Sequence, residues 1–333
     1  MRKIINNPDD FVDEFVEGIL LAHPTLLKTP GDDRRVLVRA DAPVAGKVGI
    51  VTGGGSGHLP LFKGYVGMGL CDGVAIGNVF SSPSSEQVLK ATQAVDGGAG
   101  VLYLFGNYGG DVLNFELAAD LAEMEDIETL SVLGTDDVAS QPHERKADRR
   151  GVAGILFAYK CAGAAAERGD DLAAVAAAAQ DAIDHTGTMG IGLSPTILPS
   201  AGKPTFELAD GEMEVGIGIH GEPGIHRGAL ESADLIAARL LTPILDDLDI
   251  ASGDRIAVLV NGMGATPLEE LYVLYRRIFQ LTSERGLTIA KSYIGEYATS
   301  LEMAGASISV LKLNDDRLEL LNAPAHSPFF REA

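Results

Sequence analysis

The sequence predicts an α/β protein of two domains, a layered α/β first domain followed by a smaller α+β domain. Three observations point there. Through the first half, apolar runs of strand length alternate with helix-periodic stretches, the texture of a layered domain. Beyond His185 strand-like segments outnumber helical ones. Finally, 333 residues of which 46% are hydrophobic are more comfortably two cores than one.

Taken in order, Lys47 to Thr52 reads as a strand because an apolar run meets a glycine loop. Gly73 to Gly77, Val101 to Phe105 and Thr129 to Leu133 read as strands for the same reason, with helices at Ser85 to Val95 and Val112 to Met124 between them. Two consecutive helices follow, Gly151 to Arg168 and Asp171 to His185, the alanine run Ala173 to Ala179 suiting close helix packing. After them Met189 to Leu193, Glu214 to Ile219, Arg255 to Val260, Leu287 to Ile294 and Ser307 to Leu313 read as strands, with helices at Ser232 to Leu245 and Pro267 to Arg285. The expected boundary lies near His185, giving domains 1–185 and 186–333. No internal repeat, linker or charged tail stands out.

Charge narrows the partners. A formal net charge of -21 repels phosphate backbones and argues against nucleic acid and anionic membranes. The N-terminus runs from Met1 to Asn7 and on to Pro8 without a signal-peptide core, and no run approaches the roughly 18 apolar residues of a membrane span. Cys71 and Cys161 lie in apolar surroundings with no paired spacing, so a reducing cytoplasm is expected and neither disulfide framework nor zinc site. Glu212, Glu214 and Glu222 raise the question of a metal, but alternation puts the first two on one strand face, which reads as solvated, and no metal is assigned. His23, His143, His185 and His326 sit where solvent-facing or capping imidazoles are common.

Three glycine-framed loops carry the chemical signal. In Gly216-Ile217-Gly218-Ile219-His220-Gly221-Glu222-Pro223-Gly224, strand-like alternation delivers His220 to a turn. The residues alone leave open whether that imidazole reacts or only hydrogen-bonds its own turn. In Thr52-Gly53-Gly54-Gly55-Ser56-Gly57-His58, backbone N–H groups can converge on an anion or hydroxyl, although such a segment can equally be only a tight turn. It is no nucleotide fingerprint, since no Lys-Ser or Lys-Thr follows and His58 replaces the last glycine of G-x-G-x-x-G. In Gly106-Asn107-Tyr108-Gly109-Gly110-Asp111, the aspartate stands where a helix begins, suited to capping, to catalysis or to both.

Together these loops resemble the dihydroxyacetone kinase family, specifically its ketone-binding K subunit. Further matching segments extend the resemblance over nearly the whole chain: Arg39-Ala40-Asp41-Ala42-Pro43, Arg150-Gly151-Val152-Ala153-Gly154, Lys203-Pro204-Thr205-Phe206-Glu207 and Asn261-Gly262-Met263-Gly264-Ala265-Thr266-Pro267. The resemblance implies that His220 adds to a ketose carbonyl as a hemiaminal, that Asp111 is the general base toward the terminal hydroxyl, and that His58 is its acid-base companion. It implies a pocket formed by Gly54, Gly55, Ser56, Gly106, Asp111 and His220. With His58 and Asp111 on the first domain and His220 on the second, the expected site is the cleft between domains. The resemblance also implies a homodimer, and a separate L subunit that carries ATP or ADP with magnesium and donates the phosphate, since this chain shows no nucleotide loop of its own. Glycerol, lacking a carbonyl, should be rejected.

Two departures from the family pattern bear on substrate. Where many relatives carry Glu-Pro and another histidine after Gly57-His58, this chain has Leu59-Pro60-Leu61-Phe62, and Gly106 replaces the usual lysine before Asn107-Tyr108. Losing a charged donor and gaining room favours a ketose longer than three carbons, such as an erythrulose-like ketotetrose. The rivals are a noncatalytic ketone sensor or coactivator, and an isomerase or aldolase. Lys63, the nearest candidate for a Schiff base, reads as a solvated helix residue, which counts against the last of these.

Overall fold

The computed structural model describes residues 3–333, so Met1 and Arg2, which open the segment judged free of a signal peptide, lie outside the described residues. The chain forms two compact units. Unit 1 takes the chain up to Leu133, Ala158–Asp181 and Glu319–Ala333; unit 2 takes Gly134–Phe157 and Ala182–Leu318. A single boundary near His185 does not describe this division. The early excursion belongs to unit 2 because its backbone is hydrogen-bonded there, with Val138 N–H donating to Thr188 O and Thr188 N–H to Asp136 O. The C-terminal tail belongs to unit 1 through Ser327 Oγ donating to Gly64 O and His326 N–H to Met68 O.

Unit 1 is built on strands β1 (Leu27–Lys28), β2 (Val36–Arg39), β3 (Gly49–Ser56), β4 (Gly73–Val79), β5 (Val101–Gly106) and β6 (Thr129–Gly134), in the spatial order β1-β2-β4-β3-β5-β6. Strand β3 runs parallel to both β4 and β5, so the carboxyl ends of these three strands share one edge. That edge carries the loops of interest. Its helices are α1 (Phe11–Ala22), α2 (Ser85–Val95) and α3 (Gly109–Glu123). A capping box, Ser84 with Gln87, starts α2 where the sequence reading starts it. Val88, Ala91 and Val95 of α2 and Phe115 and Ala118 of α3 pack with Val51, Tyr103 and Phe105 into one core. Helix α4 (Ile155–Arg168) is buried along most of its length, its Tyr159 hydroxyl 2.8 Å from Thr52 Oγ1. In α5 (Leu172–Asp184) only one face of the alanine run is buried, with Val175 and Ala179 inside and Ala173, Ala174 and Ala177 exposed.

Unit 2 contains β7 (Thr186–Ser194), β8 (Glu212–Val215), β9 (His226–Ala229), β10 (Arg255–Gly262), β11 (Thr288–Gly295) and β12 (Ala304–Leu313), ordered β11-β10-β12-β7-β8-β9. Strands β10 and β11 pair in parallel, while β10–β12, β12–β7, β7–β8 and β8–β9 are antiparallel, the mixed texture expected of an α+β unit. Helices α6 (Ala233–Asp247) and α7 (Leu268–Glu284) bury Leu240, Ile244, Leu271 and Ile278 against Val258, Val260, Ile308 and Val310. The chain closes with α8 (Asp315–Asn322) and the small pair β13 (Ala325–His326) and β14 (Arg331–Glu332). Among the described residues no helix is long and apolar enough to cross a membrane.

Candidate active site

In unit 1 the glycines expected to form a loop after Thr52 instead continue strand β3 through Ser56, and they are packed rather than open. A Cβ on Gly54 would lie 2.4 Å from the Phe62 ring, and one on Gly55 would lie 2.8 Å from Ser81 N and 2.9 Å from Phe80 Cα. The glycines therefore admit two aromatic residues to within contact of the strand. The hydroxyl of Ser56 donates to Gly77 O at 2.8 Å, so its proton is committed to the fold. These contacts do not fit a phosphate cradle: the space beside the glycines is filled by protein.

His58 follows Gly57, whose φ of +106° suits glycine, and is 1% exposed. Its ring stacks on Phe80, centroids 4.9 Å apart at 10°, and meets the Phe62 edge at 6.3 Å and 81°. Both phenylalanines have positive φ, 66° at Phe62 and 55° at Phe80, a conformation a bulky side chain adopts only when its surroundings impose it. The apolar replacement seen in the sequence at Phe62 is thus part of the wall that fixes His58.

Lys63, expected on a solvated face, is instead buried at 2% exposure with Nζ over the Phe15 ring of α1. Burial alone pushes its ammonium down to about 7. The sequence reading missed this because α1, which covers the lysine, is remote in the chain.

Asp111 lies at the end of β5, inside the first turn of α3, with Tyr108 in the capping position. It is 6% exposed. It is therefore not the N-cap; the helix N-terminus nonetheless favours its charge. Gly106 is buried before it, and Asn114 Nδ2 donates to Pro83 O, tying the start of α3 to the loop before α2.

In unit 2 the strand read through Ile219 stops at Val215, because Gly216 takes φ +77° and turns the chain. His220 therefore stands in the loop joining β8 to β9, which Ile225 N–H closes onto Val215 O. Ile217 anchors that loop in a small cluster with Met263, Met303 and Phe206. Glu214, expected on a solvated face, is buried and accepts from Gly224 N–H at 2.8 Å and Arg227 Nε at 2.6 Å.

Glu222 makes the decisive contact. Its Oε1 is 2.8 Å from His220 Nδ1 and its Oε2 accepts His220 N–H at 2.9 Å. Burial works against this carboxylate, but the hydrogen bond and charge of His220 and the local backbone N–H groups prevail and hold it down at about 2. An ionised carboxylate only accepts hydrogen bonds, so Nδ1 carries a proton in either charge state of the ring, and in the neutral ring the lone pair lies on Nε2. Such an imidazole is a nucleophile in the correct tautomer. Glu222 was legible only as a residue two places from His220, and its role was not foreseen.

Among the described residues no group of three or more His, Cys, Asp or Glu could hold a metal ion. The Dak1 domain matches residues 17–329. The chain belongs to the Dak1 family, and within it to the DhaK type. A Dak1-type relative from Listeria innocua, the dihydroxyacetone-binding subunit DhaK of a PTS-dependent dihydroxyacetone kinase 2, is 42% identical over 331 residues, covering 99% of either chain. The D-erythrulose kinase of Mycolicibacterium smegmatis is 42% identical over 333 residues, which is 100% of this chain but 57% of that kinase. Among solved structures, a dihydroxyacetone kinase operon co-activator superposes with TM-score 0.86 at 32% identity, covering 94% of this chain and 96% of its own.

Proposed function

We propose that this chain is the ketose-binding subunit of a dihydroxyacetone-type kinase, in which His220 captures the substrate carbonyl. The His220–Glu222 pair carries this reading. The Nε2 lone pair forms a bond to the carbonyl carbon, the C=O π pair moves to oxygen, and that oxygen takes up a proton to give the hemiaminal. Bond formation leaves positive charge on the ring, and the Glu222 carboxylate at Nδ1 is its counter-charge. Only a carbonyl compound can be held so, which excludes glycerol. Asp111 takes the proton of the terminal hydroxyl as that oxygen attacks phosphorus, and His58 is its companion.

The phosphoryl donor, ATP or ADP with magnesium, belongs to a separate L-type partner. Two facts support this: Phe62 and Phe80 fill the space beside the glycines, and a relative matched over 99% of either chain is named a dihydroxyacetone-binding subunit. The buried thiols of Cys71 and Cys161 suit a reducing cytoplasm. Gly106, in place of a charged donor, favours a ketotetrose, in keeping with the similarity to an erythrulose kinase.

The co-activator likeness supplies a second reading, a ketose sensor without turnover. Mixing the chain with an L-type subunit, nucleotide and each ketose separates the two. Phosphate incorporation that vanishes with His220→Ala is the expected result; ketose capture with no incorporation would leave the sensor. Dihydroxyacetone preferred over tetroses by about tenfold in kcat/KM, roughly 1.4 kcal/mol, would overturn the substrate assignment.

A further inference from the structure

We infer that Arg150 is a positioning residue for His220, acting through Glu222, and that Asp137 holds it in place. This rests on the proposed role of His220. The segment Arg150 to Gly154 stood out in the sequence without acquiring a function, and it lies some seventy residues from the loop it would serve.

The geometry forms one chain of charges within unit 2. Arg150 brings Nε, at 2.9 Å, and Nη2, at 2.8 Å, onto the one oxygen Asp137 Oδ2, which holds the guanidinium against that carboxylate. Its backbone is held too, with Arg150 N–H donating to Ser140 Oγ and Asp137 N–H donating to Arg150 O. The remaining prong, NH1, faces Glu222 Oε2 at 3.9 Å, and NH2 reaches toward Gly216 O at 3.5 Å. Arg150 thus touches both the base of the His220 loop and the carboxylate at its tip.

Gly218 is the second observation. A Cβ there would fall 2.1 Å from Glu222 Oε2 and 2.6 Å from Arg150 NH1, so the absence of a side chain at this position is what lets the two charges face each other. Its backbone is not in the left-handed region, so the requirement is for space rather than for conformation.

The physical consequence concerns one carboxylate with two duties. Glu222 must give one oxygen to His220 N–H and the other to Nδ1. Facing Oε2, the Arg150 charge holds that oxygen on the backbone side and leaves Oε1 for the ring. Without it the carboxylate can rotate about its last torsion, and the Nδ1–H tautomer loses its fixed acceptor. Arg150 touches no reacting atom in this scheme.

The test reads the tautomer directly, by nitrogen chemical shifts of histidine-labelled full-length protein without any ketose. Wild type is expected to show His220 protonated at Nδ1. Arg150→Gln should give a mixture of tautomers and slow ketose capture by roughly tenfold or more, the size of effect common for residues that orient a reactive group through another. Arg150→Lys, which keeps the charge beside Asp137 but not the fork, should recover part of both. Gly218→Ala inserts a methyl between Glu222 and Arg150 with no change of charge, and should reproduce the Arg150→Gln tautomer mixture even if that variant fails to fold. An unchanged Nδ1–H signal in folded Arg150→Gln or Gly218→Ala overturns the inference, as does slowed capture with the tautomer intact. The tautomer signal needs no substrate, so it stands or falls independently of whether His220→Ala abolishes ketose capture.

Discussion

The two candidate histidines, one in each unit, are held by opposite means. His58 in unit 1 is clamped by shape, between the rings of Phe80 and Phe62 and almost wholly out of solvent. His220 in unit 2 is held by charge, through Glu222 with Arg150 and Asp137 behind it, and its side chain remains 26% exposed. The contrast fits the role proposed for each. A residue that bonds covalently to substrate needs an accessible nitrogen of defined tautomer, which a polar partner can specify and a phenyl ring cannot. A residue that accompanies proton transfer needs a fixed position, which packing supplies.

The largest expected effect strikes the charged clamp. Glu222→Gln offers Nδ1 a side chain that can donate or accept, so the tautomer is no longer specified and the adduct loses its counter-charge. Ketose capture, followed by NMR titration, should fall ~10²–10⁴-fold; a loss smaller than tenfold would break the comparison. Next comes Asp111→Asn, which removes the proposed base from the first turn of α3. Turnover with an L-type partner should drop by ~10²–10³ while capture on His220 stays within about twofold, a split that a coupled assay beside the titration resolves.

The packed clamp should answer in stability. Phe62→Ala removes one wall of the His58 pocket and is expected to cost roughly 2–4 kcal/mol in urea unfolding, with the rise in turnover defects confined to the phosphoryl step. Unchanged stability would mean that the strained backbone at Phe62 cancels what its ring contributes.

Smaller effects separate the units by the pH window in which each acts. Lys63 in unit 1 has a folded value near 7, below its usual 10.5, so between those limits the unfolded chain binds a proton that the folded chain does not. Stability should therefore rise with pH across that window. Lys63→Met should flatten the rise and stabilise the protein by roughly 2–3 kcal/mol near neutrality, converging with wild type above about pH 10 by thermal unfolding. Glu222 in unit 2 gives the same sign in an acid window, with its charged form the one that stabilises. Its folded value of about 2 lies below its usual 4.5, so its stabilisation is complete above the upper figure and is lost as pH falls toward the lower. Glu222→Gln should lose that acid limb, the smallest of these changes, since the group is part exposed.

Legibility followed the range of the interactions involved. Helix α2 was readable because Ser84, Gln87 and its apolar stripe lie within one segment, and β10 because its apolar run is self-contained. The strand into His220 was overextended since alternation continues through Ile217 and Ile219, whereas the φ of Gly216 ends it. Glu214 was assigned to solvent because Arg227, which covers it, arrives from the next strand.

From the sequence alone came the α/β class, most of the central strands and helices, and the family, whose resemblance in turn implies His220, Asp111 and His58 as the residues on which the chemistry should turn. These rest on local periodicity, turn chemistry and motif order, all properties of neighbours in the chain. Only the tertiary structure decided that residues 134–157 join unit 2, that Lys63 is buried under α1, that aromatic rings fill the glycine loop, and that Asp137 and Arg150 stand behind Glu222. Each of those depends on which distant groups share a desolvated space, and chain order does not encode that distance.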